Sequence, residues 1–326
     1  MAPDGLIGAV RATLRSLGSQ RPDVGLLVQV LPGAPAYHVG FDNNGRIALV
    51  APPEPLAWPP LRLERLAFSP AVRSQLTDAA GRREERDVAV VLLDASGGVF
   101  GDALPALVAG VITAAGPQPG PGDLGRAVRA LRDVFQALSR DATDSYIGVW
   151  GELFVIRQAA RPAVLAAAWG SDPTQSFDFA LEGERLEIKT TLQAVRRHHF
   201  SYSQLLAARI SAVTVVSVQT APTPDGSSAG DLVSEVLDML HEVPAVAGRV
   251  LHRASAALGR QLFDEMSPRY DRVLAQSTLA MFPFAEIPTV DLQVGVVDVN
   301  WTAELGAAPT LAVSGTLAEA AAPDMG

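Results

Sequence analysis

Asp178, Glu187 and Lys189, near the middle of the chain, have the types and spacing to hold a divalent cation against a phosphate. Residues 185–191 read as a strand, and strand side chains alternate faces, so Glu187 and Lys189 share one side while Ile188 points to the other. Asp178 lies on a second strand-like run, 176–181, and Glu182-Gly183-Glu184 between the runs is a hairpin turn signal. A hairpin centred near Gly183 brings Asp178 close to Glu187 across the pair. Two carboxylates on rigid strands make a hard oxygen site suited to Mg²⁺, which keeps several waters and takes one or two protein carboxylates. An ion there polarises a phosphate oxygen and acidifies a bound water. Lys189 is placed to orient that water or to stabilise charge developing on the phosphate.

The identity of the amine carries weight of its own. The chain has 26 lysines and arginines together, and Lys189 is the only lysine. Arginine forks rigidly, whereas a lysine ammonium is a compact point charge on a flexible stem. The plain alternative is an exposed Glu-Lys pair on a sheet face, with Asp178 merely starting a strand.

Several elements must position this triplet. A helix expected over residues 144–160 is apolar around most of its circumference, as in a helix buried on several sides. Glu152 interrupts it, a buried carboxylate that is costly without a partner, and Gly148 one turn earlier leaves room for something to approach. Trp169-Gly170-Ser171-Asp172-Pro173 reads as a turn before the first strand. Downstream come Arg196, Arg197, His198 and His199, which either contact phosphate or flank a turn. Ser201 and Gln204 then fit an S-x-x-Q capping box opening a helix to residue 208, which accounts for both without catalysis and leaves them as candidate support. A strongly apolar strand is expected over 212–218. The order is helix, strand, strand, helix, strand, a mixed α/β arrangement.

Composition narrows the chemistry. With no cysteine and five histidines, disulfides and thiolate zinc sites are excluded, and a metal falls to carboxylates. The net charge of −9 argues against a whole-surface polyanion binder, yet residues 185–209 carry a local +4. The first 18 residues carry Asp4 and no basic segment before an apolar run, so they read as an amphipathic helix rather than a secretory leader. The weakly polar run 105–116 is shorter than the roughly 20 residues a membrane span needs. These features predict a cytoplasmic protein without membrane contact.

Two segments dense in proline and glycine, 116–122 and 221–228, divide the chain into three. Short apolar runs at 24–30, 36–40, 46–50 and 88–93 predict a β-rich first part, with Tyr37 and His38 as packing residues. Asp123 is the expected N-cap of a helix through residue 138, whose Arg126, Arg129 and Arg132 mark a solvated face or a phosphate-facing one. Helices at 230–242 and 244–258 and apolar runs at 292–299 and 310–313 are expected in the last part. Asp291, Asp298 and Glu286 have no common geometry there and read as surface or turn residues.

Ser176-Phe177-Asp178-Phe179 and Glu187-Ile188-Lys189 resemble the two signature elements of the PD-(D/E)XK, or restriction-endonuclease-like, superfamily, over about residues 143–218. Phe177 stands where the motif has proline, which supplies no ligand. With Gly148-Val149-Trp150-Gly151-Glu152-Leu153 and His198-His199-Phe200-Ser201, the chain is similar to an uncharacterised bacterial family within that superfamily, one associated with methyltransferases and ATPases in phage-defence loci. The resemblance implies an α/β fold: a mixed-sheet core flanked by helices at 119–220, preceded by a β-rich accessory domain at 1–118 and followed by an α/β extension at 221–326. It implies Asp178, Glu187 and Lys189 as the catalytic trio, with Asp178, Glu187 and Glu152 as metal ligands. The expected cofactor is Mg²⁺, with Mn²⁺ as a substitute. The expected activity is hydrolysis of DNA phosphodiesters, with Arg196, Arg197, His198 and His199 on the nucleic acid. Methyltransferase or ATPase subunits are candidate partners, and the alternative is a non-catalytic scaffold that keeps the fold.

Overall fold

Strands and helices alternate in blocks along this chain, and a computed structural model describes residues 3–54, 58–94, 98–138, 142, 144–171, 176–290, 299–306 and 316–322. The first block runs α1 (Pro3–Leu17), β1 (Leu26–Leu31), β2 (Ala34–Asp42), β3 (Ile47–Ala51), β4 (Leu61–Arg62), β5 (Leu66–Thr77), β6 (Arg83–Leu93), α2 (Gly98–Ala115) and α3 (Asp123–Leu138). There follow α4 (Tyr146–Gln158), α5 (Pro162–Ala168), β7 (Phe179–Leu181), β8 (Glu184–Thr191), β9 (Arg196–Ser201), α6 (Tyr202–Ala207) and β10 (Ala212–Gln219). The remainder is β11 (Pro222–Ser227), α7 (Ala229–Met239), α8 (Pro244–Leu258), α9 (Arg272–Thr278), β12 (Ala280–Pro283), β13 (Asn300–Leu305) and α10 (Thr316–Ala321). Among the described residues no helix is long and apolar enough to cross a membrane. The runs expected at 292–299 and 310–313, with Asp291 and Asp298, lie outside the described residues except for Val299, and Glu286 ends a short 3-10 turn.

The chain forms two compact units, one of Met1–Asp141 with Leu237–Glu265 and the other of Ala142–Val236 with Met266–Gly326. This differs from three consecutive parts. The segment 116–122 links α2 to α3 inside the first unit, and 221–228 contains β11 inside the second. Proline and glycine punctuate elements there rather than domains. Gly226 shows why: a Cβ on it would lie 2.4 Å from the Tyr270 carbonyl oxygen, so only glycine permits the approach of β11 to that residue.

In the first unit the sheet order is β1-β2-β3-β6-β5-β4, and β1 also pairs with β5 in parallel, which closes five strands on themselves. Alternation places Leu26, Val28, Ala48, Val50, Leu76, Val88 and Val90 in one core. Tyr37 is fully buried with its hydroxyl donating to the Gly116 carbonyl at 2.8 Å, and Arg86 donates to His38 Nε2 at 3.3 Å. Helices α1 and α3 pack on this sheet, and α2 and α8 pack on those helices and on each other. The N-terminus of α3 is held differently from expectation. Buried Glu54 accepts from the Leu124 and Gly125 amides at 3.0 Å each, while Asp123 takes the Gly120 amide and Arg126. The α3 arginines meet protein: Arg129 donates to the Pro59 carbonyl and Arg132 pairs with Asp133.

The second unit is built on the four-stranded sheet β12-β10-β8-β7, with β10 parallel to β8 and the other pairs antiparallel. A separate ribbon pairs β9 with β13. Helix α4 packs against β8, and its residues Val149 to Ile156 are all buried, as its all-round apolar pattern predicts. Trp150 stacks on Phe154 at 5.3 Å and donates its indole N–H to the Ser227 carbonyl.

The close approach in α4 occurs at Gly151, whereas a Cβ at Gly148 would meet only Ser145 at an ordinary 3.7 Å. At Gly151 a Cβ would stand 1.8 Å from Thr190 Oγ1 on β8. Gly151→Ala is therefore expected to lower the urea-unfolding free energy by about 1–3 kcal/mol through overpacking. Thr190→Ala in the same chain should recover part of the loss; an alanine at 151 with wild-type stability would contradict the packing of α4 on β8.

Candidate active site

The β7–β8 hairpin sets the geometry. Leu181 pairs with Glu184 and Phe179 with Leu186, joined by Glu182 at φ 42° and Gly183 at φ 88°. Both turn residues are left-handed, the conformation a two-residue hairpin loop demands. Continuing the register by one pair sets Asp178 level with Glu187. Asp178 Oδ2 accepts from the Ile188 amide at 2.7 Å, a bond that ties the acid to the neighbouring strand.

Glu187 is buried at 5 % exposure, and its Oε1 receives two donors, Lys189 Nζ at 2.6 Å and Gln204 Nε2 at 2.8 Å. Lys189 lies over the Phe200 ring at 5.3 Å. Gln204 is the joint between the capping box and the acids. Its Oε1 accepts from the Ser201 amide and its own amide donates to Ser201 Oγ, which completes the box at the start of α6. Its remaining side-chain protons go to Glu187 and to the Ser176 carbonyl at 3.1 Å. Capping and support of Glu187 are one arrangement.

Glu152 on α4 is 8 % exposed, and its Oε2 accepts from the Trp169 indole N–H at 2.5 Å. Burial, and then the negative charges of Glu152 and Glu187, hold the Asp178 carboxyl well above the usual range. Burial also raises Glu187, against the opposing pull of Lys189. The Lys189 ammonium thus serves Asp178 and Glu187 together, while Glu152 adds negative charge beside Asp178. Each has one oxygen held by a protein donor: the Ile188 amide, the Gln204 and Lys189 pair, and the Trp169 indole.

Among the described residues no group of three or more His, Cys, Asp or Glu could hold a metal ion. The hard, desolvated pair Asp178 and Glu187 suits Mg²⁺, which takes one or two carboxylates. Glu152 stands close enough to bias Asp178 electrostatically.

The basic segment divides by strand alternation, because residues 196–201 form β9 rather than a turn. Arg196 and His198 point inward: Arg196 donates to the Ser217 carbonyl and hydroxyl and to the Thr278 carbonyl, and His198 Nε2 lies 2.8 Å from Ser217 Oγ. Through these bonds Arg196 and His198 tie β9 to β10, and Arg196 ties it also to the end of α9. Arg197 and His199 point outward, paired across the ribbon with Glu304 at 3.2 Å and Thr302 at 2.8 Å. An exposed ion pair such as Arg197–Glu304 contributes little, so it exchanges readily for another anion. Trp169 is the site residue that the sequence reading passed over as part of a turn. Its signal was a buried indole, which needs an acceptor, near a buried acid, which needs a donor.

Two measurements check this arrangement. Gln204→Ala leaves buried partners unsatisfied and is expected to cost about 1–3 kcal/mol in urea unfolding. Burial first, then Lys189, Arg196 and His199, push His198 down to about 4 from an ordinary 6.5. The unfolded chain therefore takes up a proton between these values that the folded chain refuses, so acidification from pH 7 to pH 4 removes roughly 3 kcal/mol through this group. Asp178 and Glu187, raised by burial, act in the opposite sense, so the difference between wild type and His198→Gln is the quantity to follow. Parallel pH–stability curves for the two proteins would refute the buried neutral imidazole.

Searches against curated proteins and against solved structures each return no match. A protein-family comparison does match, over residues 99–305, a stretch that contains α4, the β7–β8 hairpin, β9 and Gln204. The acid pair, its neighbouring lysine and the mixed sheet that carries them accord with that result: the chain belongs to the family described as "Putative PD-(D/E)XK family member, (DUF4420)".

Proposed function

We propose that this protein is a Mg²⁺-dependent DNA endonuclease that hydrolyses phosphodiester bonds in bacterial restriction or anti-phage defence, with Mn²⁺ able to substitute. The observation that carries the reading is the convergence of Asp178, level with Glu187 across a tight hairpin, with Lys189 Nζ 2.6 Å from Glu187 Oε1. Asp178 and Glu187 would hold the ion, with Glu152 as a further ligand from α4. The bound ion supplies Lewis-acid polarisation of a phosphate oxygen and activation of a water. Lys189 then places a positive charge beside the reacting phosphate, where charge develops in the transition state. Gln204 keeps Glu187 from turning away. Arg197 and His199, outward on β9, are the groups available to a nucleic-acid backbone. Methyltransferase or ATPase subunits are the partners such a defence enzyme would work with.

A second reading, a non-catalytic nucleic-acid-binding or scaffold subunit, is favoured by the lack of a three-group metal cluster among the described residues. Supercoiled plasmid decides between the two. Wild type with Mg²⁺ is expected to nick it and EDTA to stop the reaction, with Asp178→Ala and Lys189→Ala each slower by about 10² to 10³. Lys189→Arg should also lose most of its rate, because a rigid fork does not replace a compact ammonium. Equal DNA binding by all variants, with no cleavage by any of them in the presence of partner subunits, would establish the scaffold.

A further inference from the structure

The acids are braced by a dipeptide that none of the roles above requires. Trp169 ends α5 in extended backbone, and Gly170 then turns the chain in the left-handed region at φ 65°, which glycine adopts without strain. The turn returns the backbone alongside the first strand of the hairpin. Trp169 forms an antiparallel bridge with Phe179, and the Gly170 amide donates to the Asp178 carbonyl at 2.7 Å. From the same place the Trp169 indole N–H reaches Glu152 Oε2 at 2.5 Å. Ser171 extends the brace, its hydroxyl lying within hydrogen-bond reach of the carbonyls of Ala168 and Ala180 and able to donate to either.

Two neighbouring residues therefore grip two acids by different handles, the main chain of Asp178 and the carboxylate of Glu152. Trp169 is 7 % exposed and Glu152 8 %, so water does not readily replace the bond between them. A buried indole can be satisfied by any carbonyl, as Trp150 is by Ser227. Trp169 is directed instead at an acid beside Asp178. Donors of this kind behind a metal-binding side chain fix its orientation, and removing one typically weakens metal affinity by about 10–100-fold.

We propose that Trp169 is a positioning residue of the acidic site: its indole N–H fixes the Glu152 carboxylate beside Asp178, so that a divalent cation meets the acids in one set arrangement. The inference rests on the metal-binding reading proposed above. Its test uses the full chain and Mn²⁺ alone as the probe, with free Mn²⁺ followed by electron paramagnetic resonance and folding by circular dichroism. Trp169 is replaced by phenylalanine and, separately, by 3-benzothienylalanine, which keeps the bicyclic shape and substitutes sulfur for the N–H. Both folded variants are expected to bind Mn²⁺ about 10–100-fold more weakly than wild type. Should Trp169→Phe fail to fold, the benzothienyl chain alone decides. Wild-type affinity in that chain overturns the role of Trp169 and leaves the endonuclease reading standing. A wild type that binds no Mn²⁺ overturns both. A wild type that binds Mn²⁺ but cuts no DNA refutes only the endonuclease, because this experiment does not read cleavage.

Discussion

Three carboxylates in a desolvated place, one of them paired with the Lys189 ammonium, form the constraint on which the second unit depends. Burial and mutual repulsion raise Asp178 and Glu187, an arrangement unfavourable for ionised acids unless other groups share the charge. The surrounding elements answer with donors. Strand β8 gives an amide to Asp178 and the Lys189 ammonium to Glu187, α6 gives the Gln204 amide, and the turn after α5 gives an indole. A site assembled this way holds its geometry before a ligand arrives, because each acid is fixed through one oxygen.

The hairpin does the coarse alignment and the donors the fine one. A one-residue slip between β7 and β8 would turn every side chain of one strand to the opposite face. The left-handed pair Glu182-Gly183 fixes that register locally, and Leu186 and Phe179, both fully buried, fix it through the core. Ribbon β9–β13 adds a second layer of control. Its inward residues Arg196 and His198 lock it to the sheet and Phe200 lies against Lys189, while its outward residues Arg197 and His199 are exposed.

The stretch matched by the family, residues 99–305, takes in α3, α8 and nearly all of α2 as well as the elements around the acids. Fold and family alone do not specify a reaction. What speaks to chemistry is the particular combination of a hard carboxylate pair and a compact amine on adjacent positions of one strand face. The lone lysine of an arginine-rich chain is found in contact with an acid of that pair, where its shape and reach matter as much as its charge.

Much of this was legible locally. The hairpin, the alternation that aligns Glu187 with Lys189, the capping box of Ser201 and Gln204, and the buried character of α4 all follow from patterns spanning a few residues, where sterics and periodicity act directly. Other features depended on neighbours distant in sequence. Strand β9 was hidden because its basic residues suggested solvent, yet Ser217 and Thr278 lie ready to receive Arg196 and His198. Glu54 caps α3 from 70 residues away. The proline- and glycine-rich segments looked like domain borders, but packing of α2 on α3 and of β11 against Tyr270 retains each within a unit. The sequence by itself determined which residues could be acid, amine and turn, since those are properties of side-chain chemistry and short-range geometry. The tertiary structure alone decided which buried donor meets which buried acceptor, including Trp169 with Glu152, because a polar group taken out of water bonds to whatever partner packing brings within reach.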